Sequence, residues 1–194
     1  MCNTLRSAVM VNVDQFSNVL LVGFMASGKS AVGQELATLL GWDFSDMDAV
    51  IEERYGLPIN LLFEKKGQGY FRRIESEVSL DLVSLSSTVL ATGGGWALSD
   101  QNWKSVPSAT LTVWLKVTPE GAFNRAKSDG SVRPLLNGID SMESLSVLLE
   151  SRSEWYSRAQ CSVDSETGNP NDIAQGIVHL MEKRNSLVES QPGN

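Results

Sequence analysis

The chain has 194 residues, of which 42% are apolar, 20% charged and 7% aromatic, and its formal charge at pH 7 is -7. A chain of this length buries about 70% of its surface on folding, so one domain can form a core without disulfides or a structural metal. The acidic excess argues against a broad nucleic-acid-binding surface. Two distant cysteines and one histidine argue against a disulfide framework or a zinc site, and they favour a reducing cytoplasm. No apolar run approaches the roughly 20 residues that span a bilayer.

In chain order, short β-favouring runs alternate with helical patterns, which predicts βαβ units and a largely parallel sheet. The predicted strands are Val19–Phe24, Trp42–Asp46, Thr88–Ala91, Leu111–Val117 and Cys161–Val163. The predicted helices are Lys29–Leu40, Asp48–Tyr55, Asn60–Lys66, Tyr70–Leu85, Pro119–Ala126, Met142–Arg158 and Asp172–Arg184. One domain is expected over 18–185, between loose ends at 1–17 and 186–194, with a polar, mobile flap at about 127–138. His179 lies in an apolar helical stretch and is interpreted as structural.

The segment Gly23-Phe-Met-Ala-Ser-Gly-Lys-Ser30 fits the phosphate-binding pattern G-x-x-x-x-G-K-[ST] between a strand and a helix. Such a turn aims backbone N–H groups at phosphate oxygens, and the helix N-terminus adds positive potential. Lys29 would reach the β and γ phosphates, and Ser30 could ligate Mg²⁺. The alternative is a glycine-rich turn with a solvated lysine. Ala26 stands where many such loops have glycine, so a negative φ is expected there.

Two charged clusters follow this loop along the chain. Asp46 and Asp48 come at the end of a strand, where period-2 alternation places both carboxylates on one side, although a surface turn or helix cap would have the same pattern. Arg72 and Glu75 are neighbours on a helix and could equally form a plain surface ion pair.

Two further clusters complete the set. Thr92-Gly93-Gly94-Gly95 follows an apolar strand, which suggests close approach of a ligand to backbone N–H groups, with a plain loop as the alternative. Arg133 lies in the flap segment Arg-Pro-Leu-Leu, and Arg152 lies on a later helix, three residues before Trp155-Tyr156. Taken alone, each arginine would be interpreted as solvated.

Together and in this order, these clusters resemble the shikimate kinases, small P-loop kinases of the nucleoside monophosphate kinase structural family. The resemblance covers about residues 18–185. It implies a three-layer αβα fold with a central five-stranded parallel sheet and a mobile lid. It also implies that ATP and Mg²⁺ are used to phosphorylate the 3-hydroxyl of shikimate, on the route to chorismate and aromatic amino acids.

On the nucleotide side, the resemblance implies that Lys29 contacts phosphate and that Ser30 and Asp46 hold the metal, Asp46 through water. Arg133 would reach the phosphates when the lid closes, and Asn169-Pro170 would form one side of the adenine slot. The remaining residues of the implied nucleotide site are Gly23, Ala26, Ser27, Gly28 and Ala31.

On the acceptor side, the resemblance implies that Asp48 binds shikimate hydroxyls and is the candidate general base. Arg72 and Arg152 would grip the carboxylate, and Glu75 would orient these arginines. Gly94 and Gly95 would supply backbone donors, with Phe63 and Phe71 as apolar walls. The residue types agree, since two arginines suit a planar carboxylate and an aspartate accepts from vicinal hydroxyls. The expected partners are small molecules only, with no nucleic acid or membrane, and the expected state is a monomer.

Two positions depart from the family pattern. Trp96 follows the triple glycine where members usually have a small residue, which would narrow the pocket floor. Ala126 occupies the place of an arginine that stacks on adenine, and Arg125 lies next to it. Three alternatives stay open: a P-loop kinase for another hydroxy acid such as gluconate, a catalytically inactive nucleotide-binding module, and a non-enzymatic α/β protein.

Overall fold

The structure is a computed structural model that describes residues 15–128 and 141–189. Its strands are β1 Asn18–Val22, β2 Asp43–Asp46, β3 Thr88–Ala91, β4 Thr110–Lys116 and β5 Cys161–Asp164. Its α-helices are α1 Lys29–Leu40, α2 Met47–Tyr55, α3 Ile59–Val83, α4 Asp100–Ser105, α5 Pro119–Ser128, α6 Met142–Tyr156 and α7 Pro170–Glu189. A short 3-10 helix spans Trp96–Leu98.

The five strands form one parallel sheet in the order β2-β3-β1-β4-β5. Strand β1 is central, and the chain leaves it toward β2 at one edge and returns later to β4 on its other side. Ligands bind at the carboxyl ends of strands where the strand order reverses in this way. The loop after β1, which carries the phosphate-binding pattern, therefore lies at the expected binding edge.

Both faces of the sheet are covered, as parallel sheets require. Alternate residues of β1 point to opposite layers: Val19 and Leu21 pack with α1 and α7, whereas Leu20 and Val22 pack with α2, α3 and α6. All four side chains are at most 1% exposed. This arrangement confirms the predicted three-layer α/β fold with a five-stranded parallel sheet.

The structure differs from the sequence prediction in several places. The two helices predicted around Gly67 form one element, α3, interrupted at Gly67, where the backbone leaves the helical region with φ 79° and ψ 167°. Helix α4 was not predicted; it begins after Ser99, whose hydroxyl accepts a hydrogen bond from the Asn102 N–H. A six-residue helix has too few turns to show an apolar periodicity, so its capping residue was its main sequence signal.

Two segments near the predicted domain limits have defined structure. Ser17, which the prediction placed in the loose N-terminal end, donates its N–H to Ala109 O, and its carbonyl accepts from the N–H of Ser87. Helix α7 continues to Glu189, beyond the predicted boundary at 185. Within the described residues, no helix is long and apolar enough to cross a membrane.

Candidate active site

The loop between β1 and α1 has the shape of a phosphate cradle. Gly28 caps α1 in the left-handed region, with φ 85° and ψ 17°, a conformation that favours glycine. The Lys29 ammonium lies over the loop and donates to Gly23 O at 3.0 Å and to Phe24 O at 2.8 Å. Its third contact is Ser27 Oγ at 3.4 Å. The lysine is therefore held at the start of the helix, beside the backbone N–H groups that a phosphate would meet.

Ala26 contradicts the expected negative φ, because its φ is +57°. The side chain of Arg125 lies against the same loop. Its guanidinium donates to Ala26 O at 3.3 Å and to the Ser165 hydroxyl and carbonyl at 3.2 and 2.6 Å. Arg125 thus connects the cradle to the segment after β5, and these contacts help to hold Ala26 in a conformation that costs an alanine about 1–2 kcal/mol.

Ser30 and Asp46 come together although they are 16 residues apart. The Ser30 hydroxyl donates to Asp46 Oδ2 at 2.5 Å. The other carboxylate oxygen of Asp46 caps α2 by accepting from the N–H groups of Asp48 and Ala49 at 3.0 and 3.4 Å. A hydroxyl and a carboxylate placed beside a phosphate cradle are hard oxygen donors of the kind that Mg²⁺ prefers.

Asp48, in the first turn of α2, points to the Gly93 backbone. A Cβ on Gly93 would lie 2.8 Å from Asp48 Oδ1 and 2.9 Å from Glu75 Oε1, so a larger residue there would displace one or both carboxylates. The pKa of Asp48 is raised from 3.8 to about 7, chiefly by burial and then by the negative charges of Asp46 and Glu75, while Lys29 acts in the opposite direction. Near neutral pH, the Asp48 carboxyl is therefore ionised in part of the molecules and protonated in the rest.

Arg72 and Glu75 form an ion pair on α3, with 2.5 Å between Arg72 Nη1 and Glu75 Oε2. This pair is not a plain surface contact, because the Glu75 side chain is only 2% exposed. Burial raises the pKa of Glu75, and the adjacent guanidinium opposes that shift. The guanidinium also lies directly against Gly95, where any Cβ would overlap it.

Arg152 reaches the same region from α6. It is 7% exposed, and its Nη1 is buried without a hydrogen-bond partner, which is costly for a cation and suits an anionic ligand. Its guanidinium lies 5.6 Å from the centre of the Phe24 ring. Burial raises the pKa of Tyr156 to about 12, and the positive charges of Arg152 and Arg72 both oppose this shift, so the two arginines converge on one place.

The triple glycine is where these parts meet. Besides the carboxylates at Gly93 and the guanidinium at Gly95, a Cβ on Gly94 would lie 3.3 Å from Met25 N of the phosphate loop. The Tyr156 hydroxyl donates to Gly94 O at 2.6 Å. The phosphate loop, Asp48 and the arginines therefore surround one short backbone segment.

The other predicted site residues are Phe63, Phe71, Ala31, Pro170 and Arg133. Phe63 and Phe71 pack with ring centres 4.4 Å apart, and the Arg72 guanidinium lies 5.4 Å from the centre of the Phe71 ring. Ala31 is exposed on α1, and Pro170 is exposed at the start of α7. Arg133 and most of the predicted flap lie outside the described residues.

Three residues of the site were missed by sequence reasoning: Gly93, Tyr156 and Arg125. Gly93 belongs to the recognised glycine run, but its place between two carboxylates depends on the fold. Tyr156 follows Arg152 by four residues, and nothing in the sequence indicates its bond to Gly94. Arg125 was noted beside Ala126, and its contact with a loop 99 residues earlier has no local signal. The Trp96 indole, expected to narrow the pocket floor, is fully buried and donates to Ser79 Oγ.

The fold and the site together define a P-loop kinase, in which the phosphate-binding loop lies beside Asp48 and Arg72 at the glycine run. A family model described as shikimate kinase matches residues 25–182. Relatives named shikimate kinase from Moorella thermoacetica and a Synechococcus strain are 39% and 40% identical over 164 residues, which cover 84% of this chain and 94% and 82% of theirs. The chain belongs to the shikimate kinase family.

Solved structures agree with this assignment. A shikimate kinase from Acinetobacter baumannii in complex with shikimate superposes with a TM-score of 0.82 at 35% identity, covering 87% of this chain and 94% of that chain. A gluconokinase from Sinorhizobium meliloti superposes with a TM-score of 0.53 at 17% identity, a likeness of fold alone.

Proposed function

We propose that this chain transfers the γ-phosphate of ATP to the 3-hydroxyl of shikimate, giving shikimate 3-phosphate and ADP. The observation that carries the proposal is the meeting of three parts at Gly93–Gly95: the phosphate loop, the Asp48 carboxyl and the Arg72 guanidinium. Arg72 and Arg152 together are called the arginine clamp. A phosphate donor bound at the loop and a hydroxylated carboxylic acid bound at the clamp would then lie side by side.

The donor side rests on the cradle of residues 23–30. Its backbone N–H groups and the Lys29 ammonium would bind the β and γ phosphates of ATP, and positioning with charge neutralisation is most of what phosphoryl transfer requires. Gly23, Ala26, Ser27, Gly28 and Ala31 would contribute the surrounding backbone, with Pro170 toward the base.

Ser30 and Asp46 would hold Mg²⁺, which would supply positive charge to neutralise the phosphates. Their oxygens already lie next to each other, and Mg²⁺ commonly takes only one or two protein ligands together with phosphate and water. Asp46 also caps α2, so the same side chain would link the metal to the helix that carries Asp48.

The acceptor side rests on Arg72 and Arg152. The partnerless Nη1 of Arg152 and the Arg72 guanidinium, fixed by Glu75, would bind the shikimate carboxylate through charge-assisted hydrogen bonds. Gly94 and Gly95 would add backbone contacts, and Phe63 and Phe71 would close the apolar side of the ring.

Asp48 would accept the proton of the attacking hydroxyl. A general base works best when its pKa lies near the working pH, and the pKa of about 7 for Asp48 meets that condition. No covalent intermediate is required, which agrees with a site whose described residues include neither cysteine nor histidine. We further place the reaction in the cytoplasm and expect the enzyme to act as a monomer.

The test is an ADP-release assay with ATP and Mg²⁺ and one of three additions: shikimate, gluconate or no acceptor. We expect turnover with shikimate only. Equal rates with gluconate would assign the pocket to another hydroxy acid, and ADP release without acceptor would indicate a nucleotide hydrolase. Nucleotide binding without turnover in any arm would support the inactive binding module. An Arg152→Ala variant should lose shikimate turnover while binding ATP as the wild type does.

A further inference from the structure

Trp96 comes directly after the glycine run and has no role in the proposed reaction. It follows Gly95 directly, and its indole is fully buried. Its Nε1 donates to Ser79 Oγ at 2.7 Å, and Ser79 is fully buried as well. This bond joins the segment beside the proposed acceptor pocket to α3, the helix that carries Arg72.

The position of Ser79 on α3 relates this bond to Arg72. Arg72, Glu75 and Ser79 are separated by three and four residues, so they lie on one face of the helix. Ser79 is about 10 Å along the axis from Arg72, at 1.5 Å per residue. Arg72 contacts Gly95 at one end of this face, and Trp96 is bonded to Ser79 further along it.

A second polar contact runs parallel to the first. The Asn102 amide donates to Trp96 O at 2.9 Å, and its carbonyl oxygen accepts from the Ser76 hydroxyl at 3.0 Å. Asn102 is 2% exposed, so this bridge is buried too. Trp96 is thus held to α3 through both its side chain and its backbone carbonyl.

The part of α3 that carries Arg72 needs such contacts. The helix is interrupted at Gly67, five residues before Arg72, so its first segment does not rigidly fix the direction of the second. Any shift of the second segment along Gly95 would move the Arg72 guanidinium relative to Gly94 and Gly95. The bonds of Trp96 oppose that shift.

We infer that Trp96 is a positioning residue for acceptor binding: its hydrogen bond to Ser79 sets the Arg72 guanidinium against the Gly94–Gly95 backbone. This inference rests on the proposed function for the identity of the acceptor. It predicts that loss of the bond weakens shikimate binding selectively, because the phosphate loop lies between β1 and α1 and the hydrogen bonds described above for this loop involve neither Trp96 nor Ser79.

The experiment measures KM for shikimate and for ATP, and the affinity for shikimate alone by calorimetry, in Trp96→Phe, Ser79→Ala and the double variant. Each single variant should raise KM and Kd for shikimate about fivefold to tenfold, the scale expected for a small misplacement of a binding group. KM for ATP should change less than about twofold, since no contact at the cradle is altered. The double variant should be no worse than Trp96→Phe, because both remove the same bond.

Trp103→Phe is the matched control. The Trp103 indole also donates one hydrogen bond, to Ala97 O at 2.7 Å, and its ring packs on Trp96 at 5.4 Å, but this bond does not reach α3. It should lower thermal stability without changing the shikimate affinity. Ser79→Ala is a small change, and it serves as the main test if Trp96→Phe does not fold.

Three results would overturn the inference. They are an unchanged shikimate affinity in folded Ser79→Ala, an equal loss for both substrates, and the same loss in Trp103→Phe. Failure of the proposed function is distinguished by the wild type, which would then not phosphorylate shikimate at all.

Discussion

Replacing Asp48 with asparagine should stabilise the ligand-free protein above neutral pH and at the same time remove most of its kinase activity. Burial and the neighbouring carboxylates of Asp46 and Glu75 raise the pKa of Asp48 from 3.8 to about 7. The ionised carboxylate is therefore less stable in the folded protein than in the unfolded chain. Asparagine has nearly the same shape and no charge, so the variant avoids this unfavourable ionisation.

The size of the effect follows from the two pKa values. A difference of about three pH units corresponds to about 4 kcal/mol at 1.36 kcal/mol per unit. We expect about half of this, about 2 kcal/mol at pH 8, because the half-buried carboxyl keeps some contact with water. For a domain of this size, that corresponds to an increase of about 4–8 °C in Tm.

The sign of the pH dependence is fixed by the raised pKa. Between about pH 4 and 7, the native Asp48 binds a proton that the unfolded chain has lost, so the stability of the wild type falls as the pH rises. The advantage of Asp48→Asn should therefore be largest at pH 8 and should disappear as the pH approaches 4. Activity should fall by about 10²–10⁴-fold at all pH values, the usual contribution of a general base.

The assay is thermal unfolding from pH 4 to 8 for the wild type, Asp48→Asn and Glu53→Gln, with initial rates at pH 7.5. Glu53→Gln removes a carboxylate from the exposed side of the same helix and should change neither property appreciably. A variant that is less stable than the wild type at pH 8, or one whose stability difference does not depend on pH, would refute the reasoning.

Three more predictions concern the cradle and the clamp. Ala26→Gly should raise the free energy of unfolding by about 0.5–1 kcal/mol in thermal unfolding, since relief of a positive φ exceeds the extra flexibility of glycine; a lower Tm would contradict it. Arg125→Met should weaken ATP binding about tenfold in calorimetry with little change for shikimate, because it frees the loop at Ala26 O. The exposed Arg54→Met is its control, and equal losses in the two variants would reject the role. Arg72→Ala should weaken shikimate binding by about 2–5 kcal/mol, whereas the adjacent, exposed Arg73→Ala should not; parallel losses would place the clamp elsewhere.

Much of the chemistry could be predicted from short sequence patterns, because these motifs are local. The residues 19–40 predict a strand, a tight turn and a helix, and the structure confirms this arrangement. Ala26 shows the limit of a local rule. Its carbonyl accepts a hydrogen bond from Arg125, which lies 99 residues further along the chain. Local preference therefore could not predict its φ.

The sequence by itself determined the fold class, the order of the motifs along the chain and the type of each charged group. Periodicity is a property of neighbouring residues, so the sheet and the flanking helices could be predicted from it. Periodicity could not predict whether Arg72 and Glu75 form an exposed or a buried ion pair, because burial depends on which elements pack over them. Only the tertiary structure brings Asp48, Glu75 and Arg72 to the three glycines and bonds the Trp96 indole to Ser79. Those contacts join residues distant in sequence, and their distances are set by packing that no local pattern records.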